Sequence, residues 1–163
     1  MQKHEQLFEL AQKLVDERES FLARKMPGAG NLDTNSFMNE LRSRAKATFG
    51  VDYAEAKLCE GTKFAVDYYF PEEATVVEIA LSLRNSGNEF ERDLFKVILA
   101  QEAGNSVKKL VFISKPGAKD RCGMGSTKAI KNWFERARAT QIEIREFVGN
   151  SEAVLIEVTE DER

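Results

Sequence analysis

The chain has 163 residues, of which 42% are hydrophobic and 31% charged, with a formal net charge of −3. This length suits one domain, and the composition is ordinary for a soluble globular protein. No apolar run approaches the roughly 20 residues that cross a bilayer, and the charged N-terminus (MQKHEQLFEL) is unlike a signal peptide. The two cysteines, Cys59 and Cys122, form no CxxC motif, so we expect a cytoplasmic protein with reduced thiols and no membrane association.

Histidine is scarce, and this excludes several kinds of site. His4 is the only one in the chain, and it stands in a terminal segment that we expect to fray. Nucleases of the HNH type, Ser-His-Asp hydrolases and Cys/His zinc sites all need a positioned imidazole, so the composition disfavours each of them. Chemistry in this chain must therefore use carboxylates, lysines, arginines, hydroxyls and a bound metal.

The first part of the chain is predicted to be helical. Leucines and phenylalanines at helical spacing predict an amphipathic helix over residues 4–25, and the Pro-Gly-Ala-Gly run at 27–30 ends it. A second helix is predicted over 35–48 and is closed by Gly50. We expect residues 1–30 to form a helical extension in front of the core.

Strands and helices alternate in the rest of the chain. The patterns predict a three-strand meander over 53–59, 63–70 and 75–83, a helix over 89–102 and a buried strand over 109–114. A helix over 126–138 and strands over 141–148 and 153–158 complete the chain. This order predicts an α/β fold, an α+β sandwich around a mixed central sheet. We expect one domain over 1–163, with its core over 33–160.

Two carboxylates interrupt apolar strands of the meander. Asp67 lies in KFAVDYYF and Glu78 in TVVEIALSL. A carboxylate inside an apolar strand is costly unless it is paired, and two of them on neighbouring strands can face each other at roughly 5 Å. Such a pair favours a bound divalent cation. The alternative is that each carboxylate meets a basic side chain or faces solvent.

This pattern resembles the PD-(D/E)xK nucleases, in which an aspartate on one strand and a Glu-x-Lys on the next hold Mg²⁺. The predicted element order is similar to the αβββαβ core of that family. The resemblance implies that Asp67 and Glu78 are catalytic metal ligands for Mg²⁺ or Mn²⁺, joined by the main-chain carbonyl of Ile79. Metal ions held in this way can polarise the phosphate, activate water and neutralise the leaving oxygen in phosphodiester hydrolysis.

A narrower resemblance is to the BglII-type restriction endonucleases. The segment NSGNEFERDL over 85–94 resembles their strand-to-helix segment, and Gly125-Ser126-Thr127 resembles a further stretch of those enzymes. Together these similarities span 64–147, about half of the chain. They imply a Mg²⁺-dependent DNA endonuclease that is restriction-like or repair-like, with homodimerisation through the first helix as a further expectation.

The chain departs from the family pattern at two positions. Val66 replaces the proline before the aspartate, and Ala80 stands where the catalytic lysine belongs. The lysine can come from the neighbouring helix in this superfamily, which makes Lys96 the candidate catalytic residue. Lys96 is predicted on the side of its helix opposite the apolar stripe, so the alternative is a surface lysine paired with Asp93. Arg84 is a second candidate because a strand over 75–83 would bring it to the face of Glu78.

The second half of the chain contains a basic segment. Residues 105–138 include nine basic residues and only two acidic ones. Within it Gly123-Met124-Gly125-Ser126-Thr127-Lys128 opens a helix whose free N–H groups can bind an anion. We expect Ser126, Thr127, Lys128 and Lys131 to contact DNA phosphates. The alternatives are a solvated surface and an ordinary helix start.

Two functions therefore stay open from the sequence. The first is metal-dependent DNA cleavage, which Asp67 and Glu78 indicate. The second is a nuclease fold that has lost catalysis and binds nucleic acid or a protein partner, which Ala80 keeps open.

Overall fold

The computed structural model describes residues 1–18, 21–22, 30–85 and 87–149, including all of their side chains except those of residues 30–32. Across these residues the fold is mixed α/β, as predicted, with an open sheet of five strands and five α-helices. The helices are α1 (Lys3–Glu17), α2 (Gly30–Phe49), α3 (Glu89–Glu102), α4 (Ala118–Cys122) and α5 (Gly125–Arg138). The strands are β1 (Ala54–Ala56), β2 (Val66–Phe70), β3 (Thr75–Ile79), β4 (Lys109–Ser114) and β5 (Gln141–Glu146). None of the described helices has both the length and the apolar character to cross a membrane.

The sheet is mixed, and its strand order follows the chain, β1-β2-β3-β4-β5. The first three strands form an antiparallel meander, whereas β3, β4 and β5 are parallel to one another. Parallel strands need crossover connections, and α3 supplies the first while α4 and α5 supply the second. The carboxyl ends of β3, β4 and β5 therefore lie at one edge of the sheet, where ligands commonly bind in folds of this type.

A single apolar core joins the sheet to α3 and α5. Phe90, Leu94 and Val97 recur at helical spacing on α3, and all three are buried. They pack in one cluster with residues of β3, β4 and β5, and the Phe90 and Phe112 rings lie 5.4 Å apart. Burial of each such side chain stabilises the fold by about 1.5–3 kcal/mol. This core fixes the surface of α3 that faces the meander.

The contacts within the chain define two compact units. The first consists of Met1–His4 and Tyr53–Glu146 and contains the whole sheet. The second consists of Glu5–Asp52 and Phe147–Arg163, and in its described part the rings of Phe21 and Phe37 stack 4.6 Å apart. The single domain expected over 1–163, with an extension over 1–30 and a core over 33–160, stays a prediction, because compactness alone does not show which parts fold independently.

The start of α1 is anchored, contrary to the expectation that His4 would fray. His4 is 1% exposed, and its Nδ1 lies 2.7 Å from Oε1 of Glu73. The backbone N–H groups of Lys3 and His4 also donate to the Glu73 carboxylate. These N–H groups have no partner inside a helix, so a carboxylate from the turn between β2 and β3 satisfies them and complements the helix dipole.

Glu73 is expected to stabilise the protein in a pH-dependent way. Burial raises the pKa of Glu73, but the hydrogen bonds from His4 and Lys3 outweigh burial and hold this pKa below its usual value. A carboxyl whose pKa is depressed on folding contributes stability above its unfolded-state pKa, and the contribution is lost as the pH falls through the folded-state pKa. We expect Glu73→Gln to lower the free energy of unfolding by about 1–2 kcal/mol at pH 7, with a difference that narrows below about pH 4.

Urea unfolding at several pH values measures this difference. Glu72→Gln is the matched control, because Glu72 is the neighbouring residue and its side chain is 56% exposed. The control should change stability by less than about 0.5 kcal/mol. An equal loss in both variants, or a Glu73→Gln effect of constant size at every pH, would contradict this role of Glu73.

Several predicted boundaries are wrong, and local hydrogen bonds explain two of them. Helix α1 ends at Glu17 instead of residue 25, because Arg18 bonds back to Val15 in a tighter turn. Strand β3 ends at Ile79 instead of residue 83, since Leu83 and Asn85 donate to Ala80 and Ser82 in successive turns. Helix α4 was not predicted at all. The strand predicted over 153–158 lies outside the described residues.

Candidate functional site

Asp67 and Glu78 lie opposite each other on neighbouring strands. Tyr68 of β2 pairs with Val77 of β3, and the next pair in this antiparallel register joins Asp67 to Glu78. Oδ2 of Asp67 accepts a hydrogen bond of 2.7 Å from the backbone N–H of Ile79. The side chains of paired residues point to the same face of a sheet, so the two carboxylates share one face.

Helix α3 brings a lysine and a third carboxylate to the same place. Nζ of Lys96 lies 3.6 Å from Oε1 of Glu78 and 3.3 Å from Oδ1 of Asp93. The Glu78 and Asp93 residues are each 3% exposed, and the Lys96 side chain is 12% exposed. We name Asp67, Glu78, Asp93 and Lys96 the acid–lysine cluster.

The expectation that Lys96 and Asp93 lie on the solvent side of their helix is wrong. The buried surface of α3 is broader than its apolar stripe, because Asp93 and Lys96 flank the stripe of Phe90, Leu94 and Val97 on one side of the helix. Lys96 contacts Glu78 of the meander from there. A buried lysine is stable there because carboxylates surround its amine.

The acid–lysine cluster contains three carboxyl groups and one amine. Burial, with the charges of Asp67 and Asp93, raises the pKa of Glu78 well above its usual value. Burial also raises the pKa of Asp67, and it contributes most to raising that of Asp93 to about 7. Burial lowers the pKa of Lys96, but the three carboxylates outweigh this and raise it. Three acids, two of them buried, therefore share one ammonium group, and a further cation would relieve their repulsion.

The donor atoms of the cluster fit a hard divalent cation. Oε1 of Glu78 is buried without a hydrogen-bond partner, and Lys96 Nζ is too far away to donate to it. Asp67, Glu78 and the Ile79 carbonyl would offer only oxygen ligands, which Mg²⁺ and Mn²⁺ prefer. Among the described residues, no group of three or more His, Cys, Asp or Glu side chains could hold a metal ion. Mg²⁺ usually takes only one or two protein carboxylates, with water and substrate phosphate as its other ligands.

Neither of the two other positions considered for the catalytic cation, Ala80 and Arg84, lies on β3. Ala80 is fully buried, and its N–H donates to the carbonyl of Ile113 at 2.8 Å, so this position contributes only a methyl group. Arg84 does not share the face of Glu78, because the chain has left the strand before it. Instead Arg84 packs beside Gly117, where an added Cβ would lie 3.3 Å from Arg84 Cβ. The amine nearest to Glu78 thus comes from α3.

A basic cleft lies between α4, α5 and β5. It has a volume of about 350 Å³, and its polar lining includes Lys119, Lys128, Lys131 and Asn132. We name these four residues the lysine cleft. Nζ of Lys131 lies 3.0 Å from Oε1 of Glu135, whereas the Lys119 and Lys128 residues are exposed. Because α4 and α5 follow β4, the lysine cleft lies toward the same edge of the sheet as Glu78 at the end of β3.

The predicted DNA-contact residues divide between the cleft and the start of α5. Lys128 and Lys131 line the cleft, whereas Ser126 and Thr127 lie in the first turn of α5. The N-cap residue is Met124, which makes no side-chain cap hydrogen bond. The side chain at the N-cap therefore does not satisfy the first N–H groups of α5, and the anion site expected there stays a prediction.

Two parts of the site were missed by sequence reasoning. Asp93 was treated only as a surface partner of Lys96, and Lys119 was not selected. The signal for Asp93 was present in the sequence, because Glu89, Asp93 and Lys96 recur at i, i+4 and i+7 and so share one side of α3.

Comparisons of the chain with protein-family models, with curated proteins and with solved structures give no match.

Proposed function

We propose that this chain is a Mg²⁺- or Mn²⁺-dependent DNA endonuclease, restriction-like or repair-like, that hydrolyses phosphodiester bonds. The observation that carries the proposal is the position of Lys96 Nζ, 3.6 Å from Oε1 of Glu78, a buried oxygen that accepts no hydrogen bond. A buried amine beside two facing carboxylates supplies what the family's Glu-x-Lys supplies, although Ala80 replaces the lysine of that motif.

The topology supports the same proposal. The order α2, β1-β2-β3, α3, β4 is αβββαβ, and the sheet it forms is mixed. The PD-(D/E)xK nucleases that the sequence resembles have this core order, with their acids on the second and third strands. Asp67 and Glu78 occupy those strands, and the five-stranded sheet extends the core by β5.

Each member of the cluster has a distinct part in the proposed reaction. Asp67, Glu78 and the Ile79 carbonyl would hold the divalent ion, which when bound lowers the pKa of water and polarises a phosphate oxygen. The Lys96 ammonium lies where it can orient the attacking water and stabilise negative charge that develops on the phosphate. Asp93 lies 3.3 Å from the Lys96 amine and would hold it in place. Low solvent exposure strengthens each of these electrostatic effects.

The lysine cleft would position the DNA backbone. Its lysines carry no sequence information, since phosphate contacts fix the register of a duplex but do not distinguish bases. The uncapped N–H groups at the start of α5, with the hydroxyls of Ser126 and Thr127, add a further anion site. Homodimerisation through the first helix stays a prediction.

Metal-dependent nicking of supercoiled plasmid tests the proposed activity. We expect nicked and linear DNA to accumulate with Mg²⁺ or Mn²⁺ and not with excess chelator. Asp67→Asn should be inactive under the same conditions, which excludes a contaminating nuclease. DNA that stays supercoiled with wild-type protein and either metal would contradict the proposal.

The second candidate function is a DNA-binding protein that has lost catalysis. The fully buried methyl group of Ala80 favours it, because the family's usual lysine position is filled by a side chain that cannot take part in chemistry. Salt-dependent DNA binding together with an inactive wild-type protein would support this second function.

The lysine cleft predicts a binding defect that does not depend on sequence. We expect Lys128→Glu with Lys131→Glu to weaken binding about equally for all duplexes and to reduce the slope of log K against log salt by about 2. Lys13→Glu with Lys46→Glu is the matched control, because both lysines are exposed and the net charge changes equally. Fluorescence anisotropy over a range of salt concentrations measures both effects. Equal losses in the two double variants would show a general charge effect and contradict a cleft contact.

A further inference from the structure

Two exposed phenylalanines lie in contact beside the acid–lysine cluster. Phe64, in the loop before β2, is 36% exposed, and Phe95 on α3 is 50% exposed. Their rings meet edge to face, with centroids 6.5 Å apart and an interplanar angle of 90°. This is a favourable aromatic geometry, yet much of both rings stays open to solvent.

The pair is held next to the cluster by the chain itself. Phe95 directly precedes Lys96, so their Cα atoms are about 3.8 Å apart. Phe64 is three residues before Asp67, which limits that Cα separation to about 11 Å. The two aromatic residues therefore stand on the same helix as Lys96 and on the segment that leads into Asp67, although consecutive residues of a helix point to different sides.

Hydrogen bonds fix the loop that carries Phe64 onto α3. The Cys59 thiol donates to the carbonyl of Lys96 at 3.2 Å, and Thr62 Oγ1 donates to the Cys59 carbonyl at 2.8 Å. The N–H of Phe64 in turn donates to Thr62 Oγ1 at 3.1 Å. This chain of bonds runs from α3 to Phe64, so the aromatic pair is a fixed surface whose binding requires little ordering.

The surroundings of the pair suit a nucleotide. Lys63 precedes Phe64, Arg92 lies one helical turn before Phe95, and both cations are exposed, as is the Glu91 carboxylate on the same turn of α3. An aromatic face flanked by cations matches a base with its phosphates, since bases stack on aromatic rings whatever their sequence. We propose that Phe64 and Phe95 form a stacking platform for an unpaired nucleobase next to the bond that is cut. This inference rests on the proposed endonuclease function.

The platform narrows the class of substrate. In an intact duplex, neighbouring bases cover both faces of every base, so a base can stack on protein only if it is unpaired, flipped or terminal. One strand advances about 3.4 Å along the duplex axis per nucleotide, so we expect the stacked base within a few nucleotides of the cut bond. The preferred substrate is therefore DNA with a gap, overhang or flap, which favours a repair-like role.

Binding of 2-aminopurine oligonucleotides tests the platform without any cleavage. The base analogue is placed unpaired in a short gap, and its fluorescence quenching on stacking is titrated with protein in excess chelator. We expect Phe95→Leu and Phe64→Leu each to weaken gapped-DNA binding about tenfold to a hundredfold. Both should change intact-duplex binding less than about twofold. Phe95→Trp, which keeps an aromatic face, should retain both the affinity and the quenching.

Each outcome bears on the platform. Unchanged gapped-DNA binding by both leucine variants would overturn it, as would an equal loss on gapped and intact DNA. If wild-type protein binds gapped and intact DNA equally and cuts plasmid, the platform is wrong and the endonuclease function stands. If wild-type protein binds no DNA at all, both are wrong. Circular dichroism checks that both leucine variants are folded. This is expected for Phe95→Leu because leucine is a strong helix former, and for Phe64→Leu because Phe64 is a partly exposed loop residue.

Discussion

Lys96→Met is expected to slow plasmid cleavage about 100-fold, the usual scale for one positioned proton-transfer or electrostatic group. The same change should lower the free energy of unfolding by about 2–4 kcal/mol, because Glu78 and Asp93 would lose the ammonium that lies 3.6 and 3.3 Å from them. Proton uptake by those carboxyl groups limits the loss. A lysine on an open surface would change stability by less than about 0.5 kcal/mol.

A double variant separates the two effects of Lys96. Asp93→Asn removes one buried carboxylate, so Asp93→Asn with Lys96→Met should recover part of the stability that Lys96→Met loses. Cleavage should stay low in the double variant, because no amine remains beside Glu78. Recovery of cleavage together with stability would show that Lys96 only balances charge, and it would contradict a catalytic role.

Glu78→Gln and Asp67→Asn are each expected to abolish binding of Mg²⁺ and Mn²⁺, and with it all cleavage. Each change removes one of the two charged ligands that the two-carboxylate site offers. Without metal, each variant should be no less stable than the wild-type protein, and its free energy of unfolding could rise by up to about 2 kcal/mol. The reason is that burial and the neighbouring carboxylates already raise the pKa of Glu78 and oppose its ionisation.

Isothermal titration calorimetry measures the metal binding of each variant, and urea unfolding measures its free energy of unfolding. Glu91→Gln is the control, because Glu91 is an exposed carboxylate on the same helix as Asp93. It should bind metal like wild type and change stability by less than about 0.5 kcal/mol. Metal binding that survives in both Glu78→Gln and Asp67→Asn would contradict the site.

The elements with strong local signals could be predicted from the sequence. Helix α3 begins at Glu89 and ends at Glu102, and β4 spans Lys109–Ser114, both as predicted. A regular apolar stripe defines the first, and a short, nearly continuous apolar run defines the second. Neither the prediction of α3 nor that of β4 required knowledge of the neighbouring elements.

Positions that depend on distant contacts could not be predicted in the same way. His4 is buried because Glu73, far away in the chain, accepts its hydrogen bonds. Leu81 and Leu83 continue an apolar pattern that is typical of a strand, yet they lie in a turn whose side chains are still buried. The apolar pattern indicates that Leu81 and Leu83 are buried, but it does not indicate their backbone conformation.

The candidate site was only partly accessible to sequence reasoning. Asp67 and Glu78 stand out as charges within apolar strands, so the acidic pair could be selected from the sequence alone. Burial of Asp93 and Lys96 depends on how closely α3 approaches the meander, which helical periodicity does not specify. The meeting of Lys96 with Glu78 is therefore a property of the tertiary structure.

Crystals soaked in Mn²⁺ test most directly whether Asp67 and Glu78 hold a divalent ion beside Lys96. Anomalous scattering identifies Mn²⁺ by element, so one data set answers the question. We predict an anomalous peak bound by the Asp67 and Glu78 carboxylates, with the Lys96 amine still beside Glu78. A Mn²⁺ site elsewhere in the chain, or none at these two carboxylates at millimolar Mn²⁺, would contradict the metal-dependent endonuclease.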